Sequence, residues 1–240
     1  MKKRVIIPLE SRPYFTEMLR VAGLIKKKSN YEVIFLLNSE IQCDEREILK
    51  EHEIGYSVFS PESRAPQKLG FVGKVLFRFS IAQFVLSLEN FLRLKKVAAR
   101  FVKDLAPSLI VFPHIEWGRL SGFMLLESLN HQIPTLVIPY AWNPVKESVV
   151  ARLSQRPYQL TFWRKCILKI FNLEKKHKWV RQGVIQQPLP GLIALEFARG
   201  VRHDAWNASA LASFTGVESE MMLRSFIDDG GSTDRCFIVG

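Results

Sequence analysis

The sequence predicts a doubly wound, parallel α/β sheet, and three observations carry that prediction. Leu109–Phe112 and Thr135–Ile138 are short apolar runs, each with Pro before and after it. Such runs, unbroken by polar alternation, suit strands buried on both faces of a parallel sheet. Between them Leu120–Leu129 continues at helical length without Pro, so strand, helix and strand fit one βαβ unit. The same alternation recurs upstream, which extends the pattern to five strands. Open sheets of this kind bind ligands beyond the carboxyl ends of their strands. Here those ends carry His114, Glu116 and Trp117 after one run, and Tyr140, Trp142 and Asn143 after the other. The candidate site belongs there.

Each element follows in order. Val5–Leu9 reads as the first strand. Ser11 is placed to cap the next helix, and Pro13 suits its first turn. Tyr14, Met18, Leu19, Ala22 and Ile25 recur at helical spacing, and Lys26–Lys28 load the C-terminal end, as the helix dipole favours. Glu32–Leu37 is a strand, Asp44–Glu53 a short polar helix, and Tyr56–Phe59 a strand closed by Ser60-Pro61. After a turn-rich loop at Glu62–Gln67, Leu69–Val102 is long and apolar. Ser80, Gln83, Ser87 and Asn90 share one face of it, which fits a helix packed on the sheet or one dipping into a membrane surface. Pro188–Gly200 is loop and short helix, Ala208–Thr215 fits a sixth strand, and Val217–Asp229 is helical with Met221, Met222, Leu223 and Phe226 inward. Arg235–Gly240 reads as one more strand.

The 240 residues are 48% hydrophobic and 24% charged, enough apolar residue for a sizeable core. The net charge is +11, which suggests an anionic partner. Cys43, Cys166 and Cys236 are scattered, with no metal spacing and no disulfide framework, so a reducing cytosol is expected. The basic N-terminus has an apolar run too short for a signal peptide. Lys74, Arg78, Glu89 and Asn90 interrupt Leu69–Leu92, which argues against a membrane span. Arg156–Arg181 is the most basic stretch, with Phe162, Trp163, Ile167 and Phe171 interleaved among Arg164, Lys165, Lys169, Lys175, Lys176 and Lys178. It fits a solvated helix face, or a helix lying on anionic lipid. Nucleic acid is not expected as a partner, because no recognition motif accompanies the charge.

His114 and Glu116 alternate on a short loop, so both can face one side. A His beside a carboxylate suffices for general-base work on a hydroxyl, and these are the candidate catalytic pair. Glu10-Ser11-Arg12 lies at the first strand-to-helix turn, where backbone N–H groups and an Arg can hold a phosphate or sugar hydroxyls. Glu10, Ser11, Arg12, Tyr140, Trp142 and Asn143 are therefore the candidate substrate-binding set. His203-Asp204 is a second His–acid pair. No glycine-rich dinucleotide loop and no Gly-x-Ser-x-Gly elbow is present, which weakens NAD-linked and serine-hydrolase readings.

Three stretches carry a family resemblance. Ser11-Arg12-Pro13 is similar to the Thr-Arg-Pro turn of UDP-N-acetylglucosamine 2-epimerases. The segments Leu105–Phe112 and His131–Pro139 resemble two strand entries shared by those epimerases and GT-B-type glycosyltransferases. Ser219–Gly240 resembles their crossover into a second, donor-binding domain. The resemblance implies a Rossmann-like acceptor-binding domain over residues 1–234, with 235–240 opening the next domain. It implies sugar transfer from a nucleotide-sugar donor to a cell-envelope or lipid-linked glycan, with no metal and no cofactor besides that donor. It also implies a cytoplasmic enzyme at the inner membrane face, weakly active or inactive as residues 1–240 alone. A 2-epimerase-like enzyme and a non-catalytic Rossmann-like binding module are the alternatives. The epimerase pattern of an acid after strand four and His-x-Glu-Ala-Gly after strand five is not matched, since His114-Ile-Glu-Trp-Gly follows strand four here.

Overall fold

The computed structural model describes residues 3–39, 43–60, 80–138, 145–171, 173, 180, 182–185, 187–199, 208–228 and 231–239. Its strands are β1 (Arg4–Leu9), β2 (Glu32–Asn38), β3 (Gly55–Phe59), β4 (Leu109–Phe112), β5 (Thr135–Val137), β6 (Phe214–Val217) and β7 (Cys236–Ile238). Its helices are α1 (Phe15–Lys28), α2 (Cys43–Glu51), α3 (Ser80–Leu105), α4 (Leu120–Asn130), α5 (Val145–Leu153), α6 (Phe162–Ile170), α7 (Leu189–Arg199) and α8 (Glu220–Asp228). The strands form one seven-stranded sheet in the order β3-β2-β1-β4-β5-β6-β7. Every pairing in it is parallel.

The central strands are the unalternated apolar runs of the sequence. Val5–Leu9 of β1 is buried throughout, as are Ile110–Phe112 of β4. One core cluster joins Val5, Ile7 and Leu9 of β1 to Phe35 and Leu37 of β2 and to Phe15, Met18 and Ala22 of α1. The helical spacing read for α1 is therefore its core face. Helix α4 is buried on all sides from Leu120 to Ser128, as expected of a helix apolar all round. Its two buried serines are satisfied locally: Ser128 donates to the Met124 carbonyl at 2.6 Å, and Ser121 bonds a neighbouring loop. Gly122 allows the close approach. A Cβ there would stand 2.7 Å from the Glu116 carbonyl oxygen.

Several sequence expectations shift. Ala208–Leu211 is a 3₁₀ turn and the strand begins at Phe214. Helix α8 starts at Glu220, with Met221 exposed and Phe226 alone fully buried on it. Cys236–Ile238, which the family resemblance placed at the opening of a next domain, pairs with β6 as the edge of this same sheet. The chain divides into two compact units. Unit 1 holds Met1–Glu62, Leu94–Trp142 and Ala208–Gly240, and with them the sheet. Unit 2 holds Ser63–Arg93 and Asn143–Asn207. Its own core is Leu168, Leu173, Val180, Ile185, Leu189 and Leu192. The separation is invisible in sequence because unit 2 is assembled from two distant stretches whose apolar periodicity looks like sheet-packing helix. Residues 69–79 of the long predicted helix lie outside the described residues.

Candidate active site

Strands β1 and β4 are neighbours, with Val5 opposite Leu109 and Ile6 opposite Ile110. From β1 the chain proceeds to β2 on one side, while β4 flanks it on the other. The strand order reverses at this junction, and such a junction is where ligands bind in open α/β sheets. A pocket of about 580 Å³ opens there, in the size range of small-molecule sites. The turn after β1 supplies Glu10, Ser11, Arg12 and Tyr14, and the loop after β4 supplies His114, Glu116 and Arg119. Sequence reasoning placed both turns at strand ends. The sheet order is what makes them adjacent.

Glu10 fastens the two turns together. One carboxylate oxygen accepts the Leu120 backbone N–H at 2.6 Å and the other accepts the Ser121 hydroxyl at 2.7 Å. Arg119, the N-cap residue of α4, makes no side-chain cap bond, so Glu10 supplies the cap from 110 residues away. Burial pushes the Glu10 pKa up, against the opposing pull of Ser121, Leu120 and Arg119. Glu10 was expected to bind substrate. In the structure both of its oxygens are engaged by the first turn of α4.

Ser11 is extended at φ −146° and ψ 135° and makes no side-chain cap bond, contrary to the role read from its position. Arg12 donates from Nε to Glu45 Oε1 at 2.6 Å, its side chain exposed and that of Glu45 buried. Arg12 is thus partly committed to neutralising a buried carboxylate, which would be costly unpaired. Trp117, at the same loop, is buried in the core.

The remaining pocket residues form a titratable group. The rings of Tyr14 and His114 stack at 6.2 Å between centroids and 20° between planes. Glu116 and Arg119 pair at 3.2 Å, both well exposed. Such an exposed pair contributes little to stability and orients both groups. The His114 ring is open to the pocket, with protein packed behind it. That desolvation lowers its pKa, with Arg119 acting in the same direction and Glu116 opposing. Burial raises the Tyr14 hydroxyl pKa, and the Glu116 charge adds to the rise. A neutral imidazole beside a carboxylate can accept a proton from a bound hydroxyl. Tyr14 and Arg119 were not read as site residues. Tyr14 was absorbed into the helical apolar pattern, and the only signal for Arg119 is its i,i+3 spacing from Glu116.

Tyr140, Trp142, Asn143, Lys175, Lys176, Lys178, His203 and Asp204 lie outside the described residues. Arg164 belongs to unit 2. Its Nη1 donates to the carbonyls of Arg156, Pro157 and Gln159 at 2.8, 3.2 and 2.6 Å and so braces that turn. Lys165 and Lys169 are exposed on α6. Among the described residues no group of His, Cys, Asp and Glu is arranged to hold a metal ion.

Sheet and pocket together define a Rossmann-like domain with the fold of the GT-B and epimerase superfamily. A UDP-N-acetylglucosamine 2-epimerase is similar over 100% of this chain and 48% of its own, at 12% identity and a TM-score of 0.50. LpCGTa in complex with UDP is similar over 100% of this chain and 53% of its own, also at 12% identity and 0.50. The chain therefore spans about half the length of each of these two solved structures. No family model and no curated protein matches it.

Proposed function

We propose that this chain is the acceptor-binding half of a glycosyltransferase. It would transfer a sugar from a nucleotide-sugar donor to a cell-envelope or lipid-linked glycan. The observation that carries the proposal is the switch-point pocket, where His114, Glu116, Tyr14 and Arg119 line one cavity. His114 takes the proton of the acceptor hydroxyl as that oxygen bonds to the anomeric carbon. The bond from that carbon to the diphosphate oxygen breaks, and the nucleoside diphosphate leaves with the electron pair. Glu116 favours the charged imidazole, so it stabilises the imidazolium that forms. Arg119 suits a phosphate of either substrate. The UDP named with one similar structure, and the UDP-sugar named in the other's enzyme, support a uridine diphosphate donor. Under this proposal much of the donor contact comes from a second half, and residues 1–240 alone turn over slowly or not at all.

Nucleotide release measured with and without acceptor tests the proposal in the active protein. Acceptor-dependent release is expected. Acceptor-independent conversion of the nucleotide sugar would instead favour the epimerase-like alternative, which the fold comparison also supports.

We also infer that α6 rests on an anionic bilayer. No helix among the described residues is long and apolar enough to cross a membrane, so the contact is peripheral. Phe162, Trp163 and Ile170 are 72%, 75% and 79% exposed, with the exposed Lys165 and Lys169 beside them. An outward apolar stripe flanked by lysines suits the lipid interface, and each lysine is worth about 1 kcal/mol there. Changing Lys165 and Lys169 to Gln should reduce flotation with anionic vesicles about tenfold or more at low salt. Equal flotation of both proteins, or equal recovery on neutral vesicles, would remove α6 from the membrane.

A further inference from the structure

Unit 2 contains a second cavity, of about 740 Å³, which the proposed chemistry does not use. Its walls are mainly aromatic and aliphatic. Phe197 lines it, in edge contact with Phe84 at 5.9 Å and with Phe171 at 6.5 Å. Trp163 and Ile167 of α6 add to the wall, and Arg156 and Gln83 bring polar groups to it. Phe197 and Trp163 are 61% and 75% exposed, so large apolar surfaces face an open groove rather than a filled core. Exposed apolar surface gathered in one place marks an interaction site.

The chemistry of the walls selects the occupant. An extended peptide brings a backbone N–H and C=O with every residue, and each needs a partner when buried. Among the described residues, the charged or amide side chains that line the groove are those of Gln83, Arg156 and Arg164, and the Arg164 guanidinium already donates to three backbone carbonyls. A hydrocarbon chain makes no such demand and gains about 25 cal/mol for each Å² of apolar surface buried. Charge completes the match. Arg156 on the groove is exposed, as are Lys165 and Lys169 on the helix that forms one wall. An anionic head group next to the chain would meet these cations.

We propose that this groove binds the hydrocarbon chain of a single anionic amphiphile, an isoprenoid or similar chain ending in a phosphate, with the phosphate at Arg156. This deepens the glycosyltransferase reading by giving the lipid of a lipid-linked acceptor its own site. The binding itself does not depend on that reading, because it is measured without turnover.

The test is calorimetric titration of the full chain with farnesyl phosphate below its micelle concentration, alongside farnesol and inorganic phosphate. Farnesyl phosphate should bind with a negative heat-capacity change, the mark of apolar burial. Farnesol should bind more weakly, and phosphate alone not measurably. Phe197→Asp puts a charge in the groove at a mostly exposed position and should weaken binding at least about tenfold. Arg156→Gln should erase the preference for the phosphate over the alcohol. Leu24→Ser, at an exposed position of α1 outside the groove lining, should leave farnesyl phosphate binding unchanged. Circular dichroism and thermal melts verify that each variant is folded. No binding of farnesyl phosphate, unaltered binding by folded Phe197→Asp, or binding only to anionic vesicles would each overturn the proposal. Failure of nucleotide release with intact farnesyl phosphate binding would count against the transferase reading and not against the groove.

Discussion

Replacing His114 by Ala, or Glu116 by Gln, is expected to slow sugar transfer by about 10²–10⁴-fold in the active protein, the usual contribution of general-base catalysis. Neither change should unfold the domain, because both groups line the pocket and the Glu116–Arg119 pair is exposed. The pH dependence follows from the direction of the His114 shift. Its pKa lies below the ordinary 6.5, so the neutral, proton-accepting form prevails at neutral pH. Activity should therefore hold through pH 6.5 and fall only as pH drops through the lowered value. Stability has the same sign. A depressed imidazole pKa contributes stability above 6.5 that is lost as pH falls through the folded-state pKa. Glu116→Gln removes the charge that raises the His114 pKa, so it should move the acid limb of the rate profile further down. Rate changes below threefold in both variants, with normal melts, would make this pair structural.

Glu10→Ala is expected to give the largest loss of stability among the pocket variants. It leaves the Leu120 N–H and the Ser121 hydroxyl without their acceptors. A buried donor left unsatisfied costs about 1–3 kcal/mol, and a chain of this size loses roughly 2–4 °C of melting temperature per kcal/mol. The rate should fall too, since the clip holds the loop bearing His114 and Glu116 against the first turn. Glu10→Gln discriminates between charge and geometry. Its amide carbonyl can still accept from Leu120, and its NH₂ can donate to the Ser121 oxygen. The raised pKa means that burial already disfavours the charged form, so Gln should melt close to the wild type. The sign of the pH effect follows. The Glu10 contribution is complete below 4.5 and is lost as pH rises through the raised folded-state value. The gap between wild type and Glu10→Ala should narrow over that rise. A gap that widened there would mean that Glu10 acts as a stabilising carboxylate.

Much of the fold was legible because parallel strands are written as plain apolar runs. Leu109–Phe112 and Thr135–Val137 needed no context, and α1 showed its core face through Met18 and Ala22. The failures have physical causes. Ala208–Leu211 is small and apolar enough for a strand, but its chain turns as 3₁₀ before β6. Cys236–Ile238 was recognised as a strand, while its partner depended on sheet order, which local pattern does not encode. The site was half legible. Position beyond a strand end pointed to Glu10, Ser11, Arg12, His114 and Glu116. The division of labour among them rests on long-range contacts: Glu10 on Leu120 and Ser121, and Arg12 on Glu45. Tyr14 became a pocket residue only through its stacking on His114.

The central claim is that the junction of β1 and β4 is where the sugar substrate reacts. N-acetylglucosamine 1-phosphate carries the sugar-phosphate chemistry common to nucleotide sugars and lipid-linked glycans, and titrating it into isotope-labelled protein tests the claim most directly. Backbone amide shifts should concentrate at Glu10–Tyr14 and His114–Arg119 and saturate with one dissociation constant. Saturable shifts confined to other residues, with those two loops unmoved, would contradict it.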